Sequence, residues 1–433
     1  MSTVVRRLDV RLSSRFSRAR PRAAAPALLL AVALASGACD DTSVGTFGIA
    51  SPSLAVVSSD YTTASVSLFN PSTGRHVDSC VTSRSTLKQP LSGDVALPSQ
   101  AQVSGELTLI DSGNAVLTFV TPSTCEARGQ LSVSTGGFKA YPHDVVTVAP
   151  NKAYVTRNGK NLAATPDPAD FDEGDDLLIV DPRQLAVIGR IPLADFATPG
   201  PAPASAPTQA RPDHAIFAGG LVYVSLNSIS GDFATVGMGR VVIIDPASDA
   251  VVGTIDLPSL RNCSGLTYAS TTKRIYVACG GAFGDPAAQI AESALVEVDV
   301  SSGSPVLGRV LPASTLGTGA LNLFYAAVSG EASFAGTLGT FPDTTTGAPG
   351  TSDVFFYAPL TPGVAPTKLA EGAAGELGTA VVDPGSNRVF LPDANATKPR
   401  VHVYDATTGA PLPAADFEPN PSAHLPPRSV GWY

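Results

Sequence analysis

Charge is scarce in this sequence: Asp, Glu, Lys and Arg make up 15% of 433 residues, against 44% hydrophobic. A chain so poor in charge and so rich in apolar side chains has ample material for a core, which excludes a disordered protein. Long apolar runs are missing too. The Ala23–Ala35 stretch is too short to span a bilayer stably. No Cys-x-x-Cys or His-x-x-x-His spacing occurs, which disfavours zinc. A Gly-x-Ser-x-Gly nucleophile elbow is absent, and so is a phosphate-cradling glycine loop, since Gly219-Gly220 and Gly280-Gly281 fall at strand ends as turns. Net positive charge is lacking as well. At −9 the chain has no basic face for a phosphate backbone, so nucleic acid is excluded as a partner, and so is direct attraction to anionic lipid.

What is present begins with a segment of different chemistry. Seven arginines between Arg6 and Arg22 precede the Ala23–Ala35 run, followed by Ser36-Gly37-Ala38-Cys39. A basic start, a short apolar stretch and small residues before a cut describe a secretory signal peptide over residues 1–38. The Ser-Gly-Ala-Cys end resembles the lipobox of bacterial lipoproteins, which implies diacylation of Cys39, although Ser36 stands where that pattern has leucine. Ordinary cleavage before Cys39 is the alternative. Removing the segment takes away seven arginines and one aspartate and moves the net charge from −9 to −15. Any membrane link of so acidic a chain runs through lipid on Cys39.

With Cys39 set aside, four cysteines remain, and export favours disulfides over free thiols. Cys263 and Cys279 lie symmetrically about Thr271 between two alternating strands, so they face each other across a hairpin. Cys80–Cys125 follows by elimination.

Beyond a linker over residues 39–48, one pattern recurs to residue 433. An apolar strand is followed by a strand carrying Tyr or Phe among β-branched residues, then by a third strand ending at a turn, usually Asp-Pro. Clear copies are Ala153-Tyr154-Val155 with Leu178-Ile179-Val180-Asp181-Pro182, and Val222-Tyr223-Val224 with Val242-Ile243-Ile244-Asp245-Pro246. Aligning the third-strand ends gives Asn70, Thr121, Asp181, Asp245, Asp299, Ala358 and Asp405, with steps of 47 to 64 residues. Seven four-stranded units in an all-β chain indicate a seven-bladed β-propeller over residues 49–433. The first unit starts at a second strand, Ser53-Leu54-Ala55-Val56-Val57, and Leu425–Tyr433 resembles the unit openings at Tyr141-Pro142-His143 and Arg211-Pro212-Asp213. The late segment is therefore expected to supply the innermost strand of the first blade and close the ring. The Asp-Pro pairs are turn residues, because aspartate accepts from turn amides and proline presets the first dihedral.

Tyr154-Val155-Thr156-Arg157-Asn158 and Val241–Ala247 with Val251–Ile255 resemble the repeat named for its Tyr-Val-Thr-Asn motif, found in exported seven-bladed propellers. The resemblance is strong in units three, four, five and seven. It implies a fold and a cell-envelope setting more than an activity. The Trp-Asp dipeptide of another propeller class is absent, and a single tryptophan, Trp432, counts against quinoprotein dehydrogenases, whose blades dock through tryptophans.

His143, Asp144, Asp213, His214, Glu376 and Arg428 lie near the starts of innermost strands in different units, where a propeller's channel opens. Imidazoles beside carboxylates suit acid–base work or a divalent cation; the plainer reading is a polar rim that caps strand ends. The acidic loop Asp167–Asp176 offers Asp170, Asp172, Asp175 and Asp176 as hard oxygen ligands of a calcium-like site, against a merely solvated loop. No other cofactor is expected. The connectors Pro199–Pro212 and Phe341–Ser352 read as exposed loops open to a partner. Together these readings describe an exported, lipid-anchored, monomeric propeller that binds or scaffolds an envelope protein or a small ligand without catalysis. The alternatives are a lactonase-like or metal-assisted hydrolase at the channel mouth, and a purely structural surface protein.

Overall fold

The computed structural model describes residues 53–433 except 136, 164–172, 202–203, 205, 284, 317–320, 330–332, 341–351, 360–363 and 384. The expected signal peptide, Cys39 and the linker lie outside the described residues, as do Asp170, Asp172 and nearly all of the Phe341–Ser352 connector.

Alternating apolar residues fold the chain into an all-β propeller with four-stranded blades. In chain order the first sheet pairs Pro427–Trp432, Leu54–Ser59, Ala64–Phe69 and His76–Thr82; the second runs Val95–Ala96, Leu107–Asp111, Val116–Thr121 and Glu126–Ser132. The third holds Pro142–Ala149, Lys152–Lys160, Gly174–Asp181 and Ala186–Pro192, and the fourth Pro212–Ala218, Leu221–Leu226, Met238–Asp245 and Ala250–Arg261. Cys263–Ala269, Arg274–Gly280, Ser293–Asp299 and Val306–Pro312 form the fifth; Leu321–Ser329, Ser333–Thr340, Ser352–Pro359 and Thr367–Ala373 form the sixth. All strand pairs in these sheets are antiparallel.

The expected count of seven four-stranded blades is corrected here: among the described residues six sheets have four strands, and the seventh unit has three, Val381–Asp383, Arg388–Asp393 and Arg400–Asp405. The reason is proline. Pro411 and Pro413 sit where an outer strand would run, and proline cannot donate to a ladder. The segment instead forms a short 3-10 turn at Pro413–Ala415 and touches the sheet through single bridges, Tyr404 with Pro411 and Val401 with Phe417.

The late strand pairs with the first unit as expected. Val56 faces Val430 and Leu54 faces Trp432, antiparallel, so Pro427–Trp432 is the innermost strand of the first sheet.

Apolar layers lie between consecutive sheets, not within one central core. Val146, Tyr154 and Leu177 pack against Val222, Val224 and Val242 between sheets three and four. Leu54, Val56 and Val430 pack against Phe390, Val401 and Val403 between the first sheet and the three-stranded one. Each fully buried aliphatic or aromatic side chain in such a layer stabilises the fold by roughly 1.5–3 kcal/mol before chain entropy is counted. A repeated hydroxyl joins the layers. Ser59 Oγ donates to Gly93 O (2.5 Å), Ser112 Oγ to Pro142 O (2.6 Å), Thr156 Oγ1 to Asp213 O (2.6 Å) and Ser225 Oγ to Ser264 O (2.5 Å). Each runs from one sheet's second strand, or the residue just after it, to the start of the next sheet.

Two disulfides staple this frame. Cys263 pairs with Cys279 directly across a hairpin, and Cys80 pairs with Cys125, linking the first and second sheets. Disulfides of this kind belong to oxidising compartments, and on that ground the chain is read as exported.

The third-strand aspartates are turn residues. Asp181 accepts from the amides of Arg183 (2.8 Å) and Gln184 (3.1 Å), and Asp405 from those of Thr407 (3.0 Å) and Thr408 (2.8 Å). Backbone bonds from Thr408 first of all hold the Asp405 carboxyl below its ordinary value.

Candidate functional site at the starts of the innermost strands

Two of the unit openings share an unusual backbone. Tyr141 and Arg211, each just before a proline, adopt φ of 47°, which bends the chain into the innermost strand behind it. The bend sets His143 and Asp144 at the start of the third sheet and Asp213 and His214 at the start of the fourth, two sheets that lie against each other.

These four residues meet. His143 Nδ1 donates to Asp213 Oδ1 at 3.1 Å, and His214 Nδ1 lies 2.8 Å from the same oxygen. The other oxygen, Oδ2, accepts from Asn227 Nδ2 at 2.7 Å. Burial by itself would raise the Asp213 carboxyl, but the two imidazoles outweigh it and hold Asp213 well below the usual carboxylate range. Burial by itself would lower His214; the charge of Asp213, with Asp144 behind it, instead pushes His214 up to about 9. His214 is thus an imidazolium locked to a carboxylate at neutral pH.

Asp144 is fully buried and serves three amides: Ser99 (2.9 Å) and Val145 (2.8 Å) on one oxygen, Ala215 (2.9 Å) on the other. It ties the third sheet to the fourth. The Ser99 amide comes from a segment that spacing did not single out. After only two residues of innermost strand, Val95–Ala96, the second unit leaves its sheet and lays residues 99–102 across the neighbouring innermost strands. Gln100 imitates a strand: its Nε2 donates to Phe217 O (3.1 Å) and its Oε1 accepts from Phe217 N (3.0 Å). Gln102 Nε2 donates to Val145 O (3.3 Å), and its Oε1 accepts from the Thr147 hydroxyl. A glutamine in a loop carries no periodic signal, which is why this contact was not legible.

Glu376 and Arg428 are near each other but not in this cluster. Arg428 Nε donates to Ser59 O (3.2 Å), Nη1 to Gly375 O (2.8 Å), and the guanidinium stacks over the Tyr61 ring at 4.6 Å. Glu376 accepts from the Ala373 amide at 2.7 Å, closing its own turn. The expected convergence of six residues therefore resolves into a four-residue network and a separate joint.

Asp175 and Asp176 do not lie in a loop. They sit buried in the strand Gly174–Asp181, where Asp176 forms a two-pronged pair with the fully buried Arg157 at 2.7 Å per contact. Asp175 accepts from the amides of Ala210 (3.2 Å) and Arg211 (2.6 Å), so the late part of the Pro199–Pro212 connector is anchored and not, as expected, an open loop. That connector is further tied by the pairing of Thr208–Gln209 with Ile229–Ser230. Among the described residues, no group of three or more His, Cys, Asp or Glu side chains is arranged to hold a metal ion.

A second polar cluster carries no signal in the repeat. On the three-stranded sheet, His402 Nδ1 lies 2.9 Å from Asp416 Oδ2 and Nε2 3.1 Å from Asp393 Oδ2. Beside it opens a cleft of about 250 Å³ lined by residues 397–400, 416–418 and 424.

No protein-family model and no curated protein sequence matches the chain. Solved structures with the same fold do. A proposed 6-phosphogluconolactonase from Bacteroides fragilis superposes with a TM-score of 0.54 at 11% identity, covering 91% of this chain and 100% of that one. A similar protein from Bacteroides uniformis gives 0.54 at 12%, over 88% and 100%. Hydrazine synthase of Kuenenia stuttgartiensis gives 0.51 at 13%, over 85% and 99%. At such identities the likeness is one of fold: this chain is similar to all three in being a β-propeller.

Proposed function

We propose that the chain is an exported, lipid-anchored propeller of the Tyr-Val-Thr-Asn repeat type, acting as a non-enzymatic binding or scaffold module for an envelope protein or a small ligand. In this reading the three-stranded sheet counts as a seventh blade, and the Pro427–Trp432 strand closes the ring. One observation carries it. The polar groups at the innermost strand starts are spent on each other and on backbone amides, since Asp213 and Asp144 use both carboxylate oxygens within the protein. Such a network rigidifies a frame. Acylation of Cys39 after removal of residues 1–38 would hold the protein at the envelope as a monomer, its acidity keeping it off nucleic acid. No resident metal is proposed, because Asp175 and Asp176 already have protein donors.

A hydrolase remains the second reading, favoured by one detail: Asp213 binds His143 through Nδ1, which leaves Nε2 of a half-buried imidazole available for proton transfer. Two of the proteins of like fold are described as lactonases, which adds the substrate class worth testing. The decisive variant is His143→Gln alone, since removing His214 would strand Asp213 and Asp144 inside the protein. With δ-gluconolactone followed by pH-stat, the binding-module reading expects no turnover above the uncatalysed rate in either protein. Turnover by the wild type that His143→Gln abolishes would replace it with the hydrolase.

A further inference from the structure

The cleft beside His402 has an imbalance of partners. Its lining carries two cations, Lys398 and Arg400, and two acids, Asp416 and Glu418. Each acid has an imidazole: Asp416 Oδ2 lies 2.9 Å from His402, while its Oδ1 accepts from the Val403 amide at 2.9 Å, and Glu418 lies 2.5 Å from His424. Neither cation has a side-chain partner among the described residues, although Arg400 is half-buried. In a chain of net charge −9 that is unusual, because surplus carboxylates are the common fate of a surface arginine. Burial works against a charged His402, yet its hydrogen bonds to Asp393 and Asp416 outweigh it and raise the imidazole above its ordinary value. Asp416, with one oxygen on His402 and the other on the Val403 amide, does not compete for Arg400.

One wall of the cleft is braced. Its Phe417 wall stacks on Phe69 with ring centroids 4.0 Å apart, and the Val401 and Phe417 backbones bond to each other at 2.8 and 3.2 Å. Preorganised walls lower the ordering cost of binding. The space of about 250 Å³ suits a ligand of sugar or amino-acid size.

We infer that this cleft binds a small molecule through an oxyanion, a carboxylate or phosphate group, taken by the Arg400 guanidinium in its planar fork and by the Lys398 ammonium. Glu418 and His424, in the same lining, are left to meet the ligand's hydroxyls. The inference is independent of how the strand-start cluster works.

Calorimetric titration of the full-length protein with inorganic phosphate, D-glucuronate and, as a neutral counterpart, D-glucose tests it. One of the two oxyanions is expected to saturate at one per chain, with D-glucose silent. Phosphate binding alone would identify a phosphorylated ligand, and glucuronate binding alone a carboxylated one. Arg400→Gln and Lys398→Gln are each expected to weaken that binding by about tenfold or more. Lys88→Gln, an exposed lysine elsewhere, is expected to leave it unchanged. Should Arg400→Gln fail to fold, the exposed Lys398 variant carries the test. Silence from both oxyanions, or an equal loss in Lys88→Gln, would overturn the assignment.

Discussion

The polar cluster at the innermost strand starts and the one beside the three-stranded sheet use the same residue types, yet they settle their charges in opposite ways. Around Asp213 every carboxylate oxygen has a protein donor and the imidazoles are held as part of the frame. Around Asp416 the acids are satisfied by imidazoles while two cations are left over. The difference teaches that the company a polar group keeps, more than its identity, separates architecture from a binding surface. The starts of innermost strands attract functional interpretation, but here they are the better-bonded region.

The strongest challenge to that contrast is to remove what holds the frame. Deleting residues 427–433 takes away the strand facing Leu54–Ser59 and opens the layer containing Val56, Phe390 and Val403. The expected result is loss of the cooperative unfolding transition in a circular-dichroism melt. A retained main transition with a small frayed fraction would show that the frame is less unified than described.

Next in size is Arg157→Met. Asp176 would remain buried with only the Arg190 guanidinium, 3.5 Å away, as a cationic neighbour, and breaking such a pair costs up to about 3–5 kcal/mol. Urea denaturation at neutral pH measures the loss. It is expected to shrink toward acid pH, where the Asp176 carboxyl, already raised by burial against the pull of Arg157, takes up a proton. A loss that ignores pH would mean the side chain matters for packing alone.

The smallest effect concerns the imidazoles themselves. His214 binds its proton more tightly folded, about 9, than unfolded, near 6.5. Its contribution is fully present below pH 6.5 and disappears as pH rises toward 9, and His402 acts in the same direction. Stability from denaturation at pH 6, 7.5 and 9 is expected to fall across the series, less steeply in His402→Gln. A flat profile would place both imidazoles outside the frame.

Much of the fold was readable because strands advertise themselves by alternation and the Asp turns mark their ends. Asn70, Asp181 and Asp405 do close third strands. Cys263–Cys279 was readable for the same reason, since residues equidistant from a hairpin turn must face each other. The failures have physical causes. Pro411 and Pro413 break an outer strand whose flanking residues look regular. Asp175-Asp176 resembles a loop because acids rarely sit in buried strands; the clue was Arg157, which the register sets directly across from Asp176. Of the site residues, His143, Asp144, Asp213 and His214 were found by their place in the repeat. Gln100, Gln102, His402 and Arg400 were not, because their roles depend on contacts between units that no period encodes.

The pairing of Val56 with Val430 joins segments made at very different times. Until the later strand has left the ribosome, the first sheet lacks its inner edge, and the hydroxyl clasps and disulfides can order only an unfinished arc. Loop closure over such a distance is slow. In an exported chain the last strand to be made and the four cysteines share one setting: the first sheet gains its inner edge late, and Cys80, Cys125, Cys263 and Cys279 pair where the surroundings are oxidising.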